Sequence, residues 1–396
     1  MSDIQHLAEQ YDAALMPTYG RFPVALESGH GAVAVDVDGK EYIDFGSGIG
    51  VNSLGYCDAG WVQAVQEQAA KLQHISNLYY SPVTGEFAKE LCAAAGMDRV
   101  FFGNSGAEAN ECAIKLARKY SFDKYGRGRD TVIGMKNSFH GRTVTTLAAT
   151  GQDSFHQYFF PFTEGFAFVE AGNLADLMET ADDSVCAVML ECVQGEGGVI
   201  ALPADYLQAV EQLCREKDWL LIADEVQTGA GRTGSFLACQ QLGIHPDVVT
   251  MAKGLGGGLP VGACLCSRAL GSVMSAGMHG STFGGNPVAA AAGRYVLSRI
   301  TAPGFLEEVR KKGDYLANHL AEIPGVQEVR GLGLMRGALL EEGGSARAVA
   351  EACVQNGLLV LTAKNLLRFL PPLTITYDEL DKGLDILETT WKGMRR

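Results

Sequence analysis

The chain has 396 residues, 47% of them hydrophobic and 20% charged, a length and balance that suit two domains and a large core. Its net charge of -14 argues against nucleic acid as a partner, since nothing would neutralise a phosphate backbone. Ten cysteines lie scattered, without paired C-x-x-C elements or a His companion at zinc spacing, which speaks against a metal centre and fits free thiols in a reducing cytosol.

The opening residues, MSDIQHLAEQYDAAL, have acids and glutamines where a signal peptide needs an apolar stretch. No apolar run approaches the roughly 18 residues of a membrane span, so a cytoplasmic protein is expected. Residues 1–20 read as a helix. Apolar runs over 23–29 and 32–45, with Asp38-Gly39 inside the second, read as a small sheet with a hairpin. After the glycine-rich stretch 46–56, an amphipathic helix is expected over 61–73.

From Arg99 onward, short apolar runs alternate with helical patterns: VFF, TVIGM, FAFVE, CAVMLE, LLIAD, VVTMA and GACLC. That alternation predicts an α/β domain with a largely parallel, seven-stranded sheet and helices on both faces. Cys264 and Cys266, two apart in GACLC, read as core positions of a strand. Residues 203–217 begin with Pro and acids and end with Arg and Lys, as helix capping and the macrodipole favour. Beyond about residue 287 the pattern changes to long helices, then to the strands of a second, α+β unit over 325–342 and 357–373. Neither an internal repeat nor a low-complexity linker interrupts the chain.

Residues 220–258 concentrate the chemistry. Asp224 ends the apolar run 219–223 and Lys253 ends the run 248–252, and in open α/β sheets ligands bind beyond the carboxyl ends of the strands. A buried Asp needs a cationic or hydrogen-bonding partner, and a Lys in a glycine-rich turn can form a Schiff base with a carbonyl. Pyridoxal phosphate uses both, its aldehyde taking the amine and its ring nitrogen the acid. The same residues also allow a loop-capping Asp224, or one paired with Arg232, and a solvated lysine at a strand end. Upstream, FFGNSGAEAN offers a strand, a small-residue turn and a helix start, either a plain N-cap or an anion site made by free N–H groups.

The strings DEVQTGAGRTG, MAKGLGGGLPVGA and HGSTFGGNP, in that order, resemble the class III, or ω-amine, aminotransferases that use pyridoxal phosphate, and the similarity runs from about Pro17 to about Thr376. The resemblance implies the fold type I architecture: a large cofactor-binding domain over 61–288, and a small α+β domain drawn from both chain ends, 1–60 and 289–396. It makes Lys253 and Asp224 the catalytic pair and puts Ser105, Gly106 and Ala107 on the cofactor phosphate. It stacks Phe139 and Val226 on the two ring faces, brings Gln227 to the phenolic oxygen, and sets Glu225 among the cofactor contacts. Thr282 would reach the phosphate of the neighbouring subunit, with Ser281 near the substrate, implying a homodimer with a shared site. His140 receives no catalytic role.

For the substrates, the resemblance places Arg142 on the far carboxylate and Arg368 on the near carboxylate of 2-oxoglutarate, by the bidentate geometry that suits guanidinium. Glu196 then covers Arg368 when the donor, which has no carboxylate there, is bound. Tyr19 would line the pocket. The combination of NSGAEANE, SFHGRT, QGEGG and LRFLPPL most resembles the members of that family that act on N-acetylornithine, which implies that donor and a step of arginine biosynthesis. Ornithine, succinylornithine and 4-aminobutyrate are the alternatives. An aminomutase is the rival on the same fold, against which the Glu196 and Arg368 pair speaks; a cofactor-binding regulator would call for a basic, DNA-reading appendage that the chain lacks. One departure from the family pattern stands at residues 55–60, GYCDAG where relatives carry Gly-His-x-x-Pro.

Overall fold

A computed structural model describes residues 3–341 and 344–395; residues 1 and 2 of the expected first helix, residue 342 of an expected strand and residue 396 lie outside the described residues. Helix α1 (Asp3–Ala14) is shorter than expected, and residues 15–25 have no regular structure. Strands β1 (Leu26–His30), β2 (Val33–Asp36) and β3 (Glu41–Asp44) form an antiparallel meander. The Asp38-Gly39 hairpin is present: Gly39 takes φ 81°, and Asp36 Oδ1 accepts the N–H groups of Asp38 and Lys40.

Helix α2 (Ala59–Lys71) starts two residues before expectation, because Asp58 caps it by accepting the N–H groups of Gly60 and Trp61 at 3.1 and 3.0 Å. The departure at residues 55–60 therefore supplies a cap. Helix α3 (Pro82–Ala95) has Ser81 as N-cap, Pro at its first position and Gly96 in the left-handed region at its end, the usual asymmetry of start and stop.

The main domain then follows as β4 (Arg99–Gly103), α4 (Gly106–Tyr125), β5 (Thr131–Met135), β6 (Phe166–Val169), β7 (Val185–Leu190), α5 (Ala204–Lys217), β8 (Leu220–Asp224), α6 (Ala238–Leu242), β9 (Val248–Met251) and β10 (Gly262–Cys266). All seven expected strands join one sheet, in the order β4-β10-β9-β8-β7-β5-β6. Every residue of β7, β8, β9 and β10 is buried, which explains why these strands read as continuous apolar runs rather than alternating ones. β10 runs antiparallel to both β9 and β4 while the remaining pairs are parallel.

Beyond it come α7 (Pro287–Ile300), α8 (Phe305–Glu322), β11 (Val326–Leu332), β12 (Met335–Leu340), α9 (Ala346–Gln355), β13 (Leu358–Leu359), β14 (Leu361–Ala363), β15 (Leu366–Phe369) and α10 (Tyr377–Met394). β11, β12, β15 and β14 make an antiparallel sheet, whereas β13 adds in parallel to β3, so strands from the two chain ends share one sheet. Arg232, in the loop after β8, donates from its Nη1 to Leu334 O, just before β12, and to Pro371 O, just after β15. Among the described residues no helix is long and apolar enough to cross a membrane.

Candidate active site

Parallel pairing of β8 with β9 sets Asp224 beside Thr250, so Asp224 and Lys253, three residues further on, open onto one cleft of about 450 Å³. Lys253 is held at φ 45°, a left-handed conformation uncommon for a side chain other than Gly and found where function demands it. Burial, helped by the charge of Arg368, lowers its pKa to about 8 in spite of the pull of Glu196, Asp224 and Glu191. An amine so perturbed, in a cleft, is poised to act as nucleophile or base near neutral pH.

Asp224 is buried but satisfied. Its Oδ2 accepts from Asn110 Nδ2 at 2.8 Å and faces His140 Nδ1 at 2.7 Å, while Oδ1 accepts from Val226 N at 3.0 Å. Asn110 in turn accepts from Thr250 Oγ1 at 2.6 Å and donates to His140 O at 2.8 Å. Burial pushes the His140 imidazole down, but the bond to Asp224 and the charges of Asp224 and Glu191 outweigh it, so its pKa is raised. The network holds Asp224 as a fixed acceptor aimed into the cleft.

At the other end of the cleft, β4 delivers the turn Ser105-Gly106-Ala107 to the start of α4, a 20-residue helix. Its first N–H groups have no intrahelical acceptor, which suits an anion. Ser105 caps the helix through Glu108 N at 3.2 Å, and the Glu108 carboxylate ties back the amide of Asn104 at 2.6 Å. Gly106 is required here: a Cβ on it would stand 2.6 Å from Val226 Cγ1.

Phe139 and Val226 both line the cleft, as does Gln227, whose Oε1 lies 3.5 Å from Arg368 Nη1. Arg142 stands at the mouth with its guanidinium over the rings of Phe155 and Phe139, at 4.4 and 5.7 Å. Arg368, on β15 and 3% exposed, donates from Nη1 to Glu196 Oε1 at 2.5 Å, and its buried Nε has no partner. Glu196 sits in a glycine loop closed by the antiparallel pair Val193–Gln194 with Ile200–Ala201.

Two expected residues, Glu225 and Tyr19, stand away from the cleft. Glu225 turns away from the cleft: its carboxylate accepts from Thr228 Oγ1 and from the N–H groups of Ala238 and Cys239 at 3.0 and 2.7 Å, capping α6. Consecutive residues at a strand end point to opposite sides, and of the two only Asp224 lines the cleft. Tyr19 is 75% exposed and does not line the cleft, and Thr282 is exposed outside it. Ser281 adjoins the cleft through Asn104, whose Nδ2 donates to its Oγ at 3.2 Å. Asn110, Thr250, His140 and Glu191 were not foreseen; the signal for Asn110 was a polar residue on the helix face occupied by Ala109, Cys112 and Ala113.

The family profile described as class III aminotransferase matches residues 15–390. An acetylornithine aminotransferase from Haemophilus ducreyi is 52% identical over 381 residues, 96% of this chain and 97% of the relative. Among solved structures, the N-acetylornithine aminotransferase of Stenotrophomonas maltophilia has a TM-score of 0.84 at 36% identity and covers 98% of each chain. An ornithine aminotransferase of Toxoplasma gondii, with PLP in partial occupancy at its active site, has a TM-score of 0.94 at 31% identity, covering 99% of this chain and 95% of its own. The groups around the cleft fit pyridoxal phosphate: an acceptor-only carboxylate for a protonated ring nitrogen, an amine for the aldehyde, an aromatic ring for the pyridine face and free helix N–H groups for the phosphate.

Proposed function

This chain belongs to the class III aminotransferases, and from that premise we propose that it moves the ω-amine of N-acetylornithine to 2-oxoglutarate, giving N-acetylglutamate 5-semialdehyde and glutamate. Pyridoxal phosphate, when bound, supplies the aldehyde that takes up the amine and the ring that absorbs the electron pair released at the reacting carbon. Asp224, braced by Asn110 and His140, keeps that ring's nitrogen protonated. With the cofactor bound, Lys253 would take the proton from the substrate's reacting carbon and deliver it to the cofactor's former aldehyde carbon, a role its pKa of about 8 suits and one typically worth about 10²- to 10⁴-fold. Ser105, Gly106 and Ala107 hold the phosphate, with Phe139 and Val226 confining the ring between them.

The observation that carries the donor-and-acceptor reading is the Glu196–Arg368 pair beside Lys253. With Glu196 on Arg368, the cleft presents no free cation near the reacting amine and accepts a donor lacking a carboxylate there. When Glu196 swings off, Arg368 offers its fork to the near carboxylate of 2-oxoglutarate, and Arg142 takes the far carboxylate of keto acid and donor alike. The two substrates therefore alternate in one site, and the aldehyde product leaves before the keto acid enters.

The proposal extends to the assembly and setting. Asn77 ties the segment bearing the exposed Leu78, Tyr79 and Tyr80 to the loop of Ser281 and Gly284, and Phe283 beside it is exposed as well. Such an apolar surface suits a second copy, and a homodimer would carry Thr282 to the partner's phosphate. The division into units at about residues 60 and 288 is part of the same reading, and ten unpaired thiols suit a cytoplasmic enzyme.

To test it, the purified yellow enzyme is mixed in turn with N-acetylornithine, ornithine, succinylornithine and 4-aminobutyrate, and the absorbance change is followed before and after adding 2-oxoglutarate. The fastest change is expected with N-acetylornithine, reversed by the keto acid. Preference for another donor would move the assignment to a sister activity, and no change with any amine would overturn the roles of Lys253 and Asp224.

A further inference from the structure

Between the aromatic turn at Phe139 and the glycine loop of Glu196 stands a buried carboxylate that the proposed reaction leaves without a part. Glu191 follows β7 directly and is 5% exposed. Its Oε1 accepts the Phe139 N–H at 2.9 Å and its Oε2 the Gly195 N–H at 3.2 Å. Both oxygens are thus engaged by amides, which suits holding rather than proton transfer. Burial pushes this carboxyl up to about 7, the charge of His140 opposes the rise and that of Asp224 adds to it.

The loop that Glu191 anchors is clamped on both sides of Glu196. A Cβ on Gly195 would lie 2.4 Å from Gln227 Oε1, and one on Gly197 2.7 Å from Asn137 O. Beyond Gly198 the chain is tied down again where Ile200 pairs with Gln194. Glu196 itself keeps 31% of its side chain exposed. Its backbone is closely packed on both sides, whereas its side chain is partly open to solvent.

We infer that Glu191 is a positioning residue: by holding the Phe139 and Gly195 amides on its two oxygens, it fixes the backbone from which the Glu196 side chain swings to and from Arg368. Alternation between donor and keto acid is then a rotamer change rather than a loop displacement. The same bond pair couples the ring-facing turn to the switch, so that the two keep register. This inference rests on the donor-and-acceptor reading of Glu196 and Arg368.

The test uses Glu191→Gln, which keeps the shape but turns an NH₂ toward one of the two amides, and Glu191→Asp, which keeps the charge but is too short to span both. In Glu191→Gln, hydrogen exchange at the Gly195 and Phe139 amides is expected to quicken by at least about tenfold. KM for 2-oxoglutarate should rise by about tenfold, the size of one lost hydrogen bond to a charged group, while KM for the amine donor stays within about twofold. Adding Glu196→Ala should abolish that selective rise, because no switch remains to be positioned. Unchanged amide exchange, equal loss for both substrates, or a selective rise that persists in the double variant overturns the inference. Should Glu191→Gln not fold, Glu191→Asp is read by the same criteria. If the unmodified enzyme fails to use 2-oxoglutarate, the functional reading has failed, and the exchange measurement still decides whether Glu191 holds the loop.

Discussion

Replacing Lys253 with Met should stabilise the cofactor-free protein at neutral pH, and most of the gain should vanish at high pH. The folded amine titrates at about 8 and the ordinary one at 10.5, so 10.5 minus 8 leaves a gap of 2.5, equivalent to at most about 3 kcal/mol. The cleft admits water to the amine, which brings the expected cost nearer to about 2 kcal/mol. Below pH 8 the amine is charged in both folded and unfolded chains, and the folded state bears the whole cost. Between 8 and 10.5 the folded chain has released a proton that the unfolded chain keeps, so stability climbs with pH. Met has similar length, no charge and an unbranched Cβ, so it tolerates the φ of 45° as Lys does. Urea unfolding of both proteins without cofactor should show the variant ahead by about 2 kcal/mol at pH 7 and by less than about half of that at pH 10. Taking the difference between variant and parent cancels other titrating groups. A variant that is less stable at pH 7, or ahead by the same margin at both pH values, would refute a desolvated amine.

Three further outcomes are expected. Asp224→Asn sets an NH₂ against the donors Asn110, His140 or Val226 and removes the charge facing the ring nitrogen; kcat should fall by about 10²-fold or more with circular dichroism unchanged, and a smaller loss would deny the acid its role. Gly106→Ala forces a Cβ to within 2.6 Å of Val226 Cγ1, so the cofactor dissociation constant, read by absorbance titration, should rise about tenfold, with overpacking costing about 1–3 kcal/mol; an unchanged constant would refute the squeeze. Glu225→Gln turns a donor toward the Ala238 and Cys239 amides, which should cost about 1–3 kcal/mol in denaturant unfolding and leave cofactor affinity within about twofold; a loss of affinity without a loss of stability would return Glu225 to the cofactor.

Asp224 and Lys253 were legible in the sequence because each ends a continuous apolar run, and two such runs in parallel must end at one rim. The antiparallel course of β10 was not, since GACLC reads the same in either direction. Glu225 was misplaced because the motif DEVQ names four adjacent residues without saying which side each faces, and the two-residue alternation of a strand separates it from Asp224. The brace around Asp224 was hidden for another reason: Asn110, His140 and Thr250 come from a helix, a turn and a strand, and only the folded sheet brings them together. Tyr19 and Thr282 stand exposed on the single chain, where no neighbouring copy can give them a partner.

The strand that carries the anion-accepting turn has a bearing on how the enzyme matures. β4 lies at the edge of the sheet and its sole strand partner is β10, which sets Gly103 opposite Gly262. Gly262 also moulds the turn, since a Cβ there would stand 2.1 Å from Ser105 O. Ser105 therefore leaves the ribosome long before the residue that shapes its surroundings, and a contact spanning about 160 residues closes slowly. The turn therefore takes its packed shape only after Gly262 has been made. By then Lys253 has already been synthesised, so cradle and amine become available to the cofactor together.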